Sequence, residues 1–122
     1  MVLALLVSLA AALGAVGRYT LDTAVQRRHR SALPWGTFVI NVTGSFVLGL
    51  VTGIATHHGF PSRATTTIGT GLCGGYTTWS TFLWESFALA EQGRPLAAAN
   101  NVLGSLTIGL AAAAAGLGLA LL

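Results

Sequence analysis

Four long apolar runs make up nearly all of this 122-residue chain, at about Val2–Val25, Trp35–Thr56, Ser62–Ala90 and Pro95–Leu122. Each meets the roughly 20 residues that a membrane-spanning helix requires. In lipid every backbone amide and carbonyl needs a partner, so spanning segments are helices or closed barrels. Runs of this length predict helices. The expected fold is an all-α integral membrane protein, one domain over residues 1–122, with four transmembrane helices. Composition agrees, with only 7% charged residues and a mean hydropathy of +0.74. A soluble domain carries about 25% charged residues, and this chain cannot clothe itself for water.

The third run is unlike the others. From Gly69 to Glu85 it reads GTGLCGGYTTWSTFLWE, with four glycines followed by Thr77, Thr78, Ser80 and Thr81. Such a sequence predicts a break in the helix near residues 74–78. An interrupted helix at membrane depth is tolerated only inside protein or beside a polar cavity. Freed carbonyls and half-helix ends at such breaks hold ions in transporters. A membrane protein that binds or moves an ion is the first expectation.

Charge and cysteine usage exclude other classes. All six basic residues are arginine, and they fall mostly between the apolar runs. That is a loop pattern without the interleaved basic and aromatic stripe of a nucleic-acid binder. Arg27, Arg28, Arg30 and Arg94 lie in the first and third connections, against Arg63 alone in the second and the termini. The positive-inside rule then puts the first and third loops in the cytoplasm and both termini outside. The lone Cys73 permits no internal disulfide and reads as a buried apolar filler. The N-terminal run lacks the charged start of a signal peptide and is expected to remain as the first helix. No nucleophile–base pair, metal-ligand cluster or phosphate cradle is present, so an enzyme is not expected. His57 and His58 read as solvated loop residues.

Two ten-residue stretches echo each other 60 positions apart. Asn41–Leu50 and Asn101–Leu110 share six identities. Asn41, Ser45, Gly49 and Gly53 recur every fourth residue, as do Asn101, Ser105 and Gly109, which puts each set on one helix face. Small residues on such a stripe serve close helix packing. Asn41 and Ser105 have further hydrogen-bonding capacity to offer. Arg18 stands near the end of the first run, where it can snorkel to the interface or attract anions to a pore mouth. Asp22, one turn on, is its expected partner. Glu85 lies well inside the third run and needs a hydroxyl partner or a proton. Trp79 and Phe82 share a face just after the break. They pack, or they turn their electropositive ring edges to an anion.

Gly17-Arg18-Tyr19, Gly36-Thr37, Asn41 with Gly44-Ser45, and above all the stretch Gly74–Phe82 resemble the Fluc or CrcB family of double-barrelled fluoride channels. The likeness covers nearly the whole chain. It implies an antiparallel, inverted-topology dimer with two fluoride pores and a structural sodium ion at its centre. By this resemblance the carbonyls of Gly74 and Thr77 hold the sodium, and Asn41 is the pore donor. Trp79 and Phe82 form the aromatic box, and Ser105 supplies the hydroxyl of the fourth helix. Thr81, Glu85 and Asn101 belong to the adjoining polar path. The box aromatic at position 79 is commonly Phe, and some relatives carry Tyr where Asn101 stands here. The implied function is passive export of toxic fluoride across a prokaryotic plasma membrane. The partner is a second copy or, given the arginine bias, a related subunit of opposite topology. The competing class is a small four-helix proton-coupled multidrug exporter, for which Glu85 is the only interior carboxylate.

Overall fold

The computed structural model describes residues 1–29 and 31–122. Arg30, counted above in the first loop, lies outside the described residues. The chain is all helical. Helices α1 (Val2–Arg28), α2 (Trp35–His57) and α6 (Pro95–Leu119) are each long and apolar enough to cross a membrane. The shortest has 23 residues. At 1.5 Å per residue that is about 35 Å, against a hydrocarbon core of about 30 Å. Large apolar side chains such as Leu5, Leu9, Leu13 and Leu110 point outward, as a lipid-facing surface requires.

The third apolar run folds in pieces. Helix α3 (Ser62–Thr66) passes into a π-helical stretch (Thr67–Cys73) and then into the short α4 (Gly74–Tyr76). Thr77 is extended, with φ −80° and ψ 161°, and α5 (Ser80–Glu91) begins three residues later. Thr65, Thr66 and Thr67 each turn their hydroxyl back to the carbonyl four residues earlier. Back-bonding of this kind loosens the helical ladder. Gly74 is still helical, so the interruption sits at Thr77–Trp79, later than the glycines suggest.

Missing side chains set the packing. A Cβ on Gly71 would lie 2.8 Å from the Val7 carbonyl oxygen, and one on Gly75 would lie 2.8 Å from the Ala11 carbonyl carbon. Gly14 meets the same stretch from α1, against Leu72 and Tyr76. Thus α1 lies backbone to backbone on the π-helical stretch. Helices α2 and α6 are equally close, through Gly49 against Ala113 and Gly116 against Phe46 and Leu50. This is the small-residue packing that substitutes for a hydrophobic driving force in lipid.

Two tethers finish the frame. After α5, Gly93 adopts φ +73°, the Gly93 N–H donates to the Ala90 carbonyl, and the Arg94 N–H donates to the Leu89 carbonyl. That Schellman turn folds α6 back onto α5, with Pro95 at its first position. At the other end, His58 Nε2 lies 2.7 Å from the Ala120 carbonyl, joining α2 to the end of α6. His58 is therefore engaged rather than merely solvated.

Candidate functional site

The interruption is held open from outside its own segment. Asn41, on α2, donates from Nδ2 to the Thr78 carbonyl at 2.9 Å and accepts the Thr78 N–H on Oδ1 at 2.9 Å. Thr78 itself is buried. Its hydroxyl donates to Thr81 Oγ1 at 3.0 Å and accepts the Thr81 N–H at 3.3 Å, which satisfies one of the orphan donors of α5. Thr77 Oγ1 and the Thr77 N–H both donate to the Cys73 carbonyl. Tyr76 and Thr43 join hydroxyls at 2.8 Å, and Gly44 leaves room for the Thr77 methyl group.

These bonds strip two carbonyls of their helical donors. In an unbroken helix the Thr78 N–H would bond to the Gly74 carbonyl, and the Thr81 N–H to that of Thr77. Both are diverted, one to Asn41 and one to the Thr78 hydroxyl. Gly74 also faces open space where a side chain would stand. Carbonyl oxygens in this condition suit a hard monovalent cation, the use made of unwound segments elsewhere. No cluster of His, Cys, Asp or Glu that could bind a metal occurs among the described residues.

Beside the break runs a groove of about 420 Å³ between α2, α5 and α6, lined by Asn41, Ser45, Thr78, Trp79, Phe82 and Ser105 among others. Gly74 and Thr77 reach the same groove. Among the described residues, no formally charged side chain lines it. The Ser105 Oγ is buried and has no hydrogen-bond partner among the described residues. Phe82 is 6% exposed and Trp79 69%, with ring centroids 5.4 Å apart and planes inclined at 41°. One ring is thus locked in the core while the other stands free on the surface. The groove offers an amide, hydroxyls and aromatic rings, groups that can replace the water around a small anion, the rings through their electropositive edges.

Other expected site residues lie elsewhere. Asn101 is buried between α5 and α6, where Nδ2 donates to Ser86 Oγ at 2.9 Å and Ser86 donates on to the Phe82 carbonyl at 2.8 Å. It braces the helix that carries Phe82 and is not among the groove's walls. Glu85 lines a separate cavity of about 350 Å³ with Gln26, His29, Trp35 and Gln92, and one of its carboxylate oxygens is buried without a partner. Thr81 is exposed, its hydroxyl engaged by Thr78. Arg18 is half-buried on α1 and lines neither cavity. Asp22 Oδ1 accepts from Gln26 at 2.9 Å and abuts Gly36, so its partner is the next turn of α1 and not Arg18. Sequence reasoning put Thr78 within the break but gave it no role of its own, although it is the hinge of the whole arrangement. Its only signal was a second threonine directly after Thr77.

Comparison with known proteins gives a consistent result. Residues 5–117 match the family model described as CrcB-like protein, Camphor Resistance (CrcB). A protein of Frankia casuarinae named fluoride-specific ion channel FluC 1 is 49% identical over 121 residues, covering 95% of this chain and 94% of that protein. Its namesake in Streptomyces avermitilis is 49% identical over 112 residues, covering 92% and 90%. A fluoride-specific ion channel FluC 2 of Clostridium acetobutylicum is 37% identical over 105 residues, covering 86% of each chain.

Proposed function

The chain belongs to the CrcB family, and from that premise we propose that it is a passive, fluoride-selective channel that lets toxic fluoride leave a prokaryotic cell. The observation that carries this reading is the groove, lined by Asn41, Trp79, Phe82 and Ser105 with no formally charged side chain among the described residues. Fluoride holds its water tightly, so a path must replace that water stepwise. Conduction also requires sites that release the ion as readily as they admit it. A lysine or arginine in the groove would trap fluoride, whereas amide, hydroxyl and ring-edge donors pass it on. The unpartnered Ser105 hydroxyl is a donor held in reserve for such an ion.

In this proposal α3, α4 and α5 together make a fourth crossing, broken at Thr77–Trp79. Two chains pack antiparallel across the face that bears Gly74 and Trp79, and each groove is closed into a pore. The exposure of Trp79 and the open space at Gly74 support that arrangement. The Gly74 and Thr77 carbonyls of both chains hold a sodium ion, which supplies fixed positive charge and locks the break. The loop arginines orient this chain with its first and third connections in the cytoplasm. That one-sided charge favours a related subunit of opposite orientation as partner over a second copy. Proton-coupled drug export has no support here, since Glu85 lies outside the groove.

Expression in a bacterium deleted for its own fluoride exporter tests the function. Growth should be restored in fluoride at neutral and mildly acidic pH, while resistance to cationic drugs should be unchanged. Drug resistance without fluoride resistance would refute the proposal.

A further inference from the structure

No proline and no positive-φ glycine within the third run stops the helix after Tyr76. The next proline is Pro95, and glycine or threonine weakens a helix by only about 0.5–1 kcal/mol per residue. The stop is imposed by Asn41, 37 positions earlier, whose amide forms a two-bond ring with the Thr78 peptide. The N–H captured by Oδ1 is the one that would otherwise close a helical bond onto the Gly74 carbonyl. Thr78 is 9% exposed, so water competes little for either bond.

We infer that Asn41 is a positioning residue for the cation site as well as a wall of the groove. Its Oδ1 keeps the Thr78 N–H off the Gly74 carbonyl and so leaves that oxygen free for sodium. This rests on the sodium-centred reading given above. An amide side chain has two N–H groups and an oxygen with two lone pairs. The Thr78 ring uses one N–H and one lone pair, which leaves the second N–H for the groove. A single side chain therefore serves the cation site through its oxygen and the anion path through its nitrogen.

Substitution separates the two roles. Asn41→Asp keeps an acceptor for the Thr78 N–H and loses the donors. Asn41→Ala loses both, and the Thr78 N–H can return to Gly74. The purified full-length channel is titrated with sodium at constant ionic strength, with N-methylglucamine as the balancing cation. Thermal unfolding gives the sodium midpoint, and fluoride efflux from liposomes is measured in parallel. Asn41→Ala should raise the sodium midpoint roughly tenfold, the factor supplied by one net hydrogen bond, and should lose efflux. Asn41→Asp should lose efflux with a sodium midpoint at or below the wild-type value. Should Asn41→Ala fail to assemble, Asn41→Ser, too short to span to Thr78, takes its place with the same expectations. An unchanged midpoint in the Ala or Ser variant, or a tenfold rise in the Asp variant, overturns the inference and leaves fluoride conduction standing. A wild-type channel that conducts fluoride but shows no sodium response overturns it together with the sodium-centred reading.

Discussion

Ser105→Ala should damage conduction without damaging the fold. The Ser105 Oγ is buried and makes no hydrogen bond among the described residues. Keeping a buried donor unpaired costs about 1–3 kcal/mol, so its removal should leave the unfolding temperature unchanged or raise it. A fluoride ion in the groove would accept a charge-assisted bond from this hydroxyl, worth about 1.5–3 kcal/mol. If that bond lowers the main barrier, its loss slows efflux by roughly 10- to 150-fold, at 1.36 kcal/mol per decade. The assay pairs fluoride-electrode recording of efflux from proteoliposomes with thermal unfolding of the same preparation. Wild-type efflux in a stable variant would refute the role of the hydroxyl. A fall in efflux matched by a fall in unfolding temperature would show that Ser105 merely supports the fold.

Three further outcomes follow from the packing. Phe82→Ile keeps an apolar side chain at a site only 6% exposed but removes the ring, so efflux should fall sharply while the gel-filtration profile stays that of the wild type. Gly75→Val should prevent folding of the chain, because even a Cβ there would sit 2.8 Å from the Ala11 carbonyl carbon; the readout is loss of the monodisperse peak in detergent. Asn101→Leu removes the bond to Ser86, which should cost about 1 kcal/mol of stability while leaving efflux per folded channel near wild type; a selective loss of efflux would return Asn101 to the ion path.

The three long helices are legible in the chain because uninterrupted apolar runs of that length have few alternatives in lipid. Interruption of the third run near residues 74–78 was foreshadowed by its glycines and threonines, and the structure puts it at the end of that window, at Thr77–Trp79. Gly74 and Gly75 both remain helical; Gly75 lies against Ala11 of α1, while Gly74 faces open space. Thr77–Trp79 leave the helix because a side chain on α2 pulls Thr78 away. Local propensity cannot register a bond made across 37 positions. The same limit explains Asn101 and Glu85. A four-residue stripe identifies a helix face but not the neighbour that the face meets. For Asn101 that neighbour is Ser86, and for Glu85 it is a cavity walled by the first loop. Asn41, Phe82 and Ser105 were singled out through the family resemblance, and the fold brings all three to one groove.

The account depends most directly on what a liposome containing this channel, alone or with a related subunit, releases down a gradient. With valinomycin to balance charge and no pH difference, fluoride should appear outside within seconds of potassium release, and chloride from matched liposomes should stay inside. Retention of fluoride under those conditions, or its release only when a proton gradient is imposed, would contradict a passive fluoride path.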